Sequence, residues 1–225
     1  MWRAGRGAVE AIQISTGTVT PITGYTFVSP EGLAVSPDGK ELYISDTGNS
    51  TVSRSVEVAD VSGDATTDTV IGSVSGVDTA VSGIGLSANG DQLYIPNSAN
   101  GTIDIADVSG VSLSSPNAGY VTTASISDPN APNGISNVTA SPDGQTLYIA
   151  DYYSDGNGDA ADTVSVADVS GDASNHTVIG TVGNTFDAPW GLAVNSSDTT
   201  MYVVNNAYDT LQPSVDVVSI PQVSV

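Results

Sequence analysis

The chain has 225 residues, and 4 Lys and Arg against 25 Asp and Glu leave a formal net charge of −21. This charge argues against binding to nucleic acid or to anionic membranes, because phosphate groups would be repelled from nearly every face. The absence of cysteine excludes disulfides and thiolate chemistry. The sequence shows neither the apolar core of a signal peptide near its start nor an apolar run long enough for membrane insertion.

One short sequence recurs four times along the chain. The copies are SPDGKELYISD at 36–46, SANGDQLYIPN at 87–97, SPDGQTLYIAD at 141–151 and NSSDTTMYVVN at 195–205. They are evenly spaced, about 50 residues apart. Self-similarity at such a period is the signature of a repeat architecture.

The first full copy reads as four short strands, here called a to d. They are GLAVS at 32–36, ELYIS at 41–45, VEVADVS at 56–62 and TVIGSV at 69–74. Apolar residues alternate with period two, and Pro and Gly mark the turns between strands. The pattern predicts a four-stranded antiparallel meander in each copy.

Stacking such sheets face to face buries both faces of each, which is the principle of a β-propeller. The prediction is therefore all-β: a β-propeller of four to five four-stranded antiparallel blades in one array over 1–225. Its parts are an N-terminal half-blade of strands c and d at 9–24, blades at 30–80, 81–131 and 132–188, and an incomplete blade at 189–225. The spacing between Gly134 and Ser141 predicts three extra residues in the third copy.

The strand count leaves closure of the array open, since strand c recurs five times but strands a and b only four. The chain could close as four blades with one strand displaced, or form an open arc of a larger propeller. Alternatively, its incomplete blades pair with those of neighbouring copies. An open arc exposes an apolar blade face and an unpaired strand edge, which favour association. We therefore expect a homo-oligomer or filament, or a fragment of a larger propeller, in preference to a closed monomer.

The segments PEGLAVSPDGKELYISD, TVSVADVSGD and HTVIGTVG resemble the YVTN-type β-propeller repeat of archaeal and bacterial surface proteins. The resemblance covers roughly residues 9–220. It implies an extracellular or cell-surface protein. NHL-repeat and lactonase-type propellers share the same pattern of turns, so the resemblance does not decide activity.

The b–c loops and d–a links lie on one face of the predicted array, and aromatic residues concentrate there. Aromatic rings stack on sugars or peptides while neighbouring amides and carboxylates orient them. The predicted ligand-binding set is Tyr152, Tyr153, Phe186, Trp190 and Tyr208. The alternative is that these rings fill gaps between blades and cap the core.

Two groups of oxygen-bearing side chains are candidates for a metal site, with calcium as the expected ion. The first group, in the longest loop, is Asp155, Asn157, Asp159 and Asp162, whose alternation resembles the start of a calcium loop. The second comprises b-strand ends, Asp46 and Asp151, which would lie around the propeller axis. For both groups the alternative is ordinary turn chemistry, in which the side chain bonds the local backbone.

Catalytic groups are sparse, since His176 is the only histidine and nothing positions it in a triad. We therefore predict a non-catalytic extracellular or cell-surface propeller. It would act as a structural or recognition scaffold that self-assembles through its incomplete terminal blades or binds a protein or glycan. The alternative is a calcium- or carbohydrate-binding propeller, or a metal-dependent lactonase-like hydrolase using Asp46, Asp151 and Asn205.

Overall fold

The computed structural model describes residues 1–5, 7–77, 82–130, 134–152, 162–182, 186–206 and 212–220. Over these ranges the protein is all-β, with a single 3-10 turn at Ala173–Asn175. Within the same ranges no helix is long and apolar enough to cross a membrane.

Consecutive strands pair antiparallel into five sheets. The N-terminal sheet contains β1 (Trp2–Gly5), β2 (Ala8–Gln13) and β3 (Thr18–Pro21). The first repeat sheet contains β4 (Pro30–Val35), β5 (Glu41–Asp46), β6 (Ser55–Asp60) and β7 (Thr69–Ser73). The second contains β8 (Gly85–Leu86), β9 (Gln92–Asn97), β10 (Thr102–Asp107) and β11 (Tyr120–Ser127). The third contains β12 (Ile135–Ala140), β13 (Thr146–Asp151), β14 (Thr163–Asp168) and β15 (Thr177–Thr181), and the C-terminal sheet contains β16 (Pro189–Val194), β17 (Thr200–Asn205) and β18 (Ser214–Ser219).

The predicted all-β class and antiparallel meanders are confirmed. The N-terminal sheet has one strand that the sequence analysis did not anticipate, β1, which pairs with β2 in the register Trp2↔Ala11. Ala11 has the repeat position of Val58, which pairs with Tyr43 on strand b of the first repeat sheet. Trp2 therefore has the position of Tyr43, and β1 is a b strand. The N-terminal sheet therefore contains strands b, c and d, and the C-terminal sheet contains a, b and c.

The three extra residues predicted in the third copy are absent, and that prediction was wrong. Asn137 pairs with Ala150 on β13, just as Gly191 pairs with Val204 on β17. Asn137 therefore occupies the position of the repeat glycine without any insertion. Gly134 lies before the strand and was mistaken for that glycine.

The chain divides into two compact units. The first unit consists of Met1–Ile95 and Ile105–Thr123, and the second consists of Pro96–Asp104 and Ala124–Val225. In the first unit, Leu42 and Ile44 pack towards Val9 of the N-terminal sheet. Tyr43, on the opposite face of β5, packs in the cluster that contains Leu93 and Ile95 of the second repeat sheet. Alternation along β5 thus supplies one apolar face to each neighbouring sheet.

One core cluster of the second unit lies between its last two sheets. Tyr148 and Val164 of the third repeat sheet pack with Met201, Val203 and Val218 of the C-terminal sheet. All five side chains are buried. The residues of β17 and β18 that alternate with Met201, Val203 and Val218 lie on the other face of the C-terminal sheet. The exposure of this second face distinguishes the C-terminal sheet from the repeat sheets.

Candidate functional site

The ends of the b strands carry the predicted carboxylates, and Asp46 is held entirely by backbone groups. Its Oδ2 accepts a hydrogen bond from the backbone N–H of Val28 at 2.8 Å. Its Oδ1 accepts from the N–H groups of Ser29 at 2.8 Å and Gly48 at 3.0 Å. Asp46 therefore fixes the link before β4 and the turn after β5, an arrangement that favours turn chemistry over cation binding.

Asp151 occupies the same repeat position in the second unit but has different partners. Its Oδ2 accepts hydrogen bonds from the hydroxyls of Thr163 at 2.9 Å and Ser165 at 2.5 Å. Burial, followed by the neighbouring Asp128 carboxyl, raises the pKa of Asp151 to about 8. The sequence analysis did not select Asp128, because SDPN reads as an ordinary turn.

Asn205 ends the last b strand with a third set of contacts. Its Nδ2 donates to the Ser214 hydroxyl at 3.2 Å and to Asp216 Oδ2 at 2.8 Å. The repeat position is therefore not chemically uniform, as a ring of equivalent cation ligands would require. Asp46 belongs to the first unit, whereas Asp151 and Asn205 belong to the second.

The structure brings two of the predicted aromatic residues together and separates a third. The ring centroids of Tyr152 and Trp190 lie 6.3 Å apart with an interplanar angle of 59°. The Trp190 side chain is exposed, whereas Phe186 is buried in the core of the second unit. Phe186 thus has the position expected of a core-capping ring. Tyr153 and Tyr208 lie outside the described residues.

The predicted calcium loop falls mostly outside the described residues, including Asp155, Asn157 and Asp159. Asp162 is described, and its Oδ2 accepts a hydrogen bond from the backbone N–H of Ala188 at 2.6 Å. Ala188 has a positive φ of 52°, so this bond supports a left-handed turn. Over the described ranges, no group of three or more His, Asp or Glu side chains could hold a metal ion. Calcium binding therefore stays a prediction.

An open cleft of about 580 Å³ lies in the first unit, on the side of the a–b turns and away from the b–c loops. The sequence analysis did not predict this cleft. Its lining includes the a–b turns at Asp38 and Asn89 and the side chain of Leu113. Lys40 Nζ lies 2.6 Å from Asp38 Oδ2, and this hydrogen bond lowers the pKa of Asp38 to about 2. Glu41 and Asp91 also line the cleft, so its lining has three carboxyl groups against one ammonium group and is acidic.

The most distinctive surface is one face of the C-terminal sheet, and it is revealed by comparing repeat positions. Tyr43, Tyr94 and Tyr148 are only 2%, 1% and 3% exposed, whereas the corresponding Tyr202 is 44% exposed. On β18, Val217 is 67% exposed.

Four side chains form this surface, which we call the open face: Tyr202, Val204, Val215 and Val217. They are joined as cross-strand pairs, Tyr202 with Val217 and Val204 with Val215. The residues in line with them on these two strands, Thr200 and Ser219, are uncharged. In a protein with a net charge of −21, this is a neutral, apolar sheet face in contact with solvent.

No protein-family model matches the chain, and no curated protein matches it. Solved structures do match. A functionally unknown protein from Desulfotomaculum acetoxidans is 15% identical with a TM-score of 0.70, covering 98% of this chain and 61% of that one. Hydrazine synthase from Kuenenia stuttgartiensis is 21% identical with a TM-score of 0.66, covering 96% and 57%. A provisionally named 6-phosphogluconolactonase from Bacteroides uniformis is 16% identical with a TM-score of 0.61, covering 91% and 59%.

The fold is a β-propeller. At these identities the likeness shows the fold alone, so none of these proteins' activities is carried over to this chain. The chain spans about three fifths of the length of these structures. Assignment to the YVTN-type repeat in particular stays a prediction.

Proposed function

We propose that this propeller is a non-catalytic structural module that assembles with further copies of itself through the open face of the C-terminal sheet. The exposure of Tyr202 carries the proposal, because the same repeat position is buried in the three preceding copies. Tyr43 and Tyr148 each pack in a core cluster with residues of the sheet that follows their own in the chain. The C-terminal sheet presents that face without a described sheet on it.

The gain from covering the open face is substantial. Fully burying a side chain the size of valine or leucine stabilises by about 1.5–3 kcal/mol. Val215 and Val217 are 59% and 67% exposed, and Tyr202 and Val204 add further apolar area. An apolar sheet face of this kind is a typical interaction surface.

A second copy of this chain is the occupant that the charges and the repeat favour. Two molecules of charge −21 repel each other over most of their surfaces, but the open face carries no charge. The N-terminal sheet of another copy offers the matching element. Ile12 on β2 has the repeat position of Ala59, which packs towards the N-terminal sheet that precedes its own sheet. Met1, whose carbonyl group accepts the N–H of Ile12, is exposed.

Contact between the C-terminal sheet of one copy and the N-terminal sheet of the next would be head-to-tail. Such contacts generate rings when the rotation closes and filaments when it does not. An extracellular or cell-surface setting for a YVTN-type propeller of this kind is part of the proposal. The strongly acidic composition supports it, because such a surface stays well solvated outside the contact.

The environment of the carboxylates supports a non-catalytic module over a lactonase-like hydrolase. That alternative requires Asp46 as a metal ligand or catalytic group, yet both of its oxygens accept backbone N–H bonds. The two other residues of the hypothesised set also form hydrogen bonds within the second unit. Hydrolysis of a lactone that depends on Asp46 would overturn the proposal.

Light scattering over a range of concentrations tests the assembly directly. We expect the wild type to form multiples of 22.6 kDa and Val217→Asp to stay at the mass of one chain. Ile179→Asp is the matched control, since it places the same charge at an exposed position (57%) on β15 of the same unit. It should assemble like the wild type. A wild type that stays at 22.6 kDa at every concentration, or a Val217→Asp variant that still assembles, would contradict the proposal.

A further inference from the structure

The acidic cleft of the first unit contains a buried carboxyl group that the fold leaves without a partner. Glu41 is only 7% exposed, yet its carboxyl group forms no hydrogen bond or ion pair with the described residues. Alternation along β5 places Glu41 on the same face as Tyr43, the face that packs towards the second repeat sheet. Both residues line the cleft, so the Glu41 side chain lies at its inner surface.

The other charged groups of the cleft are already engaged. Lys40 Nζ donates to Asp38 Oδ2 at 2.6 Å, so the single ammonium group of the lining belongs to Asp38. Asp91 Oδ2 accepts a hydrogen bond from Asn89 Nδ2 at 2.9 Å, and this donor is neutral. Among the residues that line the cleft, Glu41 and Asp91 are therefore two carboxyl groups without a cation.

The second repeat sheet shows that the blade itself does not need a carboxyl group at this position. Gln92 and Glu41 each stand directly before a Leu-Tyr pair, so they have the same repeat position. The Gln92 Oε1 atom accepts a hydrogen bond from the Tyr94 hydroxyl at 3.1 Å. A neutral amide is thus satisfied within its own sheet, whereas the carboxyl group of Glu41 is left for a group from outside.

The segment after β10 gives the cleft an apolar part. Val111 and Leu113 line the cleft, together with the hydroxyl-bearing Ser109, Ser112 and Ser114. The Leu113 side chain is 39% exposed, so apolar surface is in contact with solvent beside the carboxyl groups. The cleft volume of about 580 Å³ lies within the range of natural ligand sites, roughly 300–1,000 Å³.

This combination favours a cation that is attached to an apolar stem. A carboxylate that is buried without a partner is costly, and a cation that enters the cleft removes this cost. Lysine and arginine side chains cover apolar surface with their methylene stems while the charged end remains free to bind carboxylates. A metal ion fits less well, because no described group of three or more acidic or histidine side chains could hold one.

We propose that the cleft binds an arginine or lysine side chain of a partner protein, with the Glu41 carboxyl group as its ionic contact and Val111 and Leu113 against its methylene stem. The net charge of −21 accelerates the encounter with a basic partner. All residues that line the cleft belong to the first unit. The proposal is therefore independent of self-assembly through the open face, which lies in the second unit.

Fluorescence anisotropy with a labelled pentapeptide tests the site on the full-length protein. The probe has a central arginine between two leucines and a glycine at each end. In the matched probe, citrulline replaces arginine, which keeps the shape of the side chain and removes its charge. We expect saturable binding of the arginine peptide with a dissociation constant below about 1 mM, and binding of the citrulline peptide that is weaker by about tenfold or more.

The variant Glu41→Gln locates the ionic contact. It should weaken binding of the arginine peptide by about tenfold or more and leave binding of the citrulline peptide unchanged, because only the charge is removed. Leu113→Ser should weaken binding of both peptides by the same factor, since it removes a contact to the stem. If Glu41→Gln does not fold, Asp91→Asn decides instead, because Asp91 is exposed and its loss should also weaken binding of the arginine peptide alone.

Asp64→Asn is the matched control. It removes one charge from an exposed position of the first unit that does not line the cleft, and it should bind both peptides as the wild type does. Equal binding of the two peptides by the wild type would overturn the proposal, as would the absence of saturable binding up to about 1 mM. Equal losses in Glu41→Gln and Asp64→Asn would also contradict it, because the peptide would then respond only to the overall negative charge.

Discussion

The first repeat sheet and the C-terminal sheet have the same strand pattern but different neighbours. In the first repeat sheet, Tyr43 is 2% exposed and lies in a core cluster with residues of the second repeat sheet. In the C-terminal sheet, Tyr202 has the same register position and is 44% exposed. The comparison shows that the repeat determines the strand, whereas the neighbouring sheet determines whether its second face becomes part of a core.

The polar contacts of the two sheets differ in the same way. Ser45 on β5 accepts a hydrogen bond from the N–H of Gly32 at 2.8 Å and donates to the carbonyl of Ser82 at 2.7 Å, connecting the first repeat sheet to the segment before β8. The C-terminal sheet has Val204 at the position of Ser45. The Ser45 hydroxyl has an acceptor because the segment before β8 supplies the carbonyl group of Ser82. At Val204 no described segment supplies such a carbonyl group.

Replacement of the two tyrosines should show the largest difference. Tyr43→Ala is expected to lower the free energy of unfolding by about 3–5 kcal/mol, as for other buried aromatic residues, because it leaves a cavity. Tyr202→Ala should lower it by less than about 1 kcal/mol. Urea unfolding at a concentration low enough to prevent assembly measures both. Equal losses would mean that Tyr202 is covered in solution.

The repeat glycine provides the next test. A Cβ at Gly32 would lie 2.7 Å from the backbone N of Ile84 and the carbonyl oxygen of Ser82, so Gly32→Ala should destabilise by about 1–3 kcal/mol. At Gly191 the nearest atom would be Val204 Cγ2 at 3.7 Å, an ordinary contact. Gly191→Ala should therefore stay within about 0.5 kcal/mol of the wild type in the same unfolding experiment. A large loss at Gly191 would show that another sheet approaches it.

The hydroxyl that bridges sheets should have a smaller effect. Ser45→Ala removes the partner of both the Gly32 N–H and the Ser82 carbonyl, so we expect a loss of about 1–2 kcal/mol. The reverse change in the C-terminal sheet, Val204→Ser, should change stability by less than about 0.5 kcal/mol, because the position faces solvent. Thermal unfolding of both variants checks the pair. A neutral Ser45→Ala would indicate that water replaces the hydroxyl.

The last test concerns the alkaline stability of the protein at Tyr43. Burial, with the charges of Glu41 and Asp38, raises the pKa of Tyr43 from 10.0 to about 12. The unfolded chain therefore ionises before the folded one, and the contribution of Tyr43 is complete below pH 10 and lost towards pH 12. Tyr43→Phe should lose less stability than the wild type between pH 9 and 11.5, with Tyr202→Phe as the control for loss of a hydroxyl. Identical pH curves for Tyr43→Phe and the wild type would contradict this prediction.

The sequence by itself determined the strands, their order and the antiparallel pairing, because alternation and turn residues act over a few neighbouring positions. SPDGKELYISD and its counterparts contain both signals, and each became a hairpin. The four residues of β1 have no turn signal of their own, so only pairing with β2 revealed them. The equivalence of Asn137 to the repeat glycine was missed for a related reason. The residue type differs, and only the strand register shows that the two positions correspond.

Only the tertiary structure decided which residues act together. Glu41 and Leu113 line the same cleft because the segment after β10 lies beside the a–b turn of the first repeat sheet, and nothing in the local sequence of either residue indicates that encounter. Tyr152 and Trp190 were predicted on one face, but their proximity depends on how two sheets pack. The open face follows the same rule: β17 and β18 have the pattern of buried strands, and burial itself depends on a partner that the pattern does not contain.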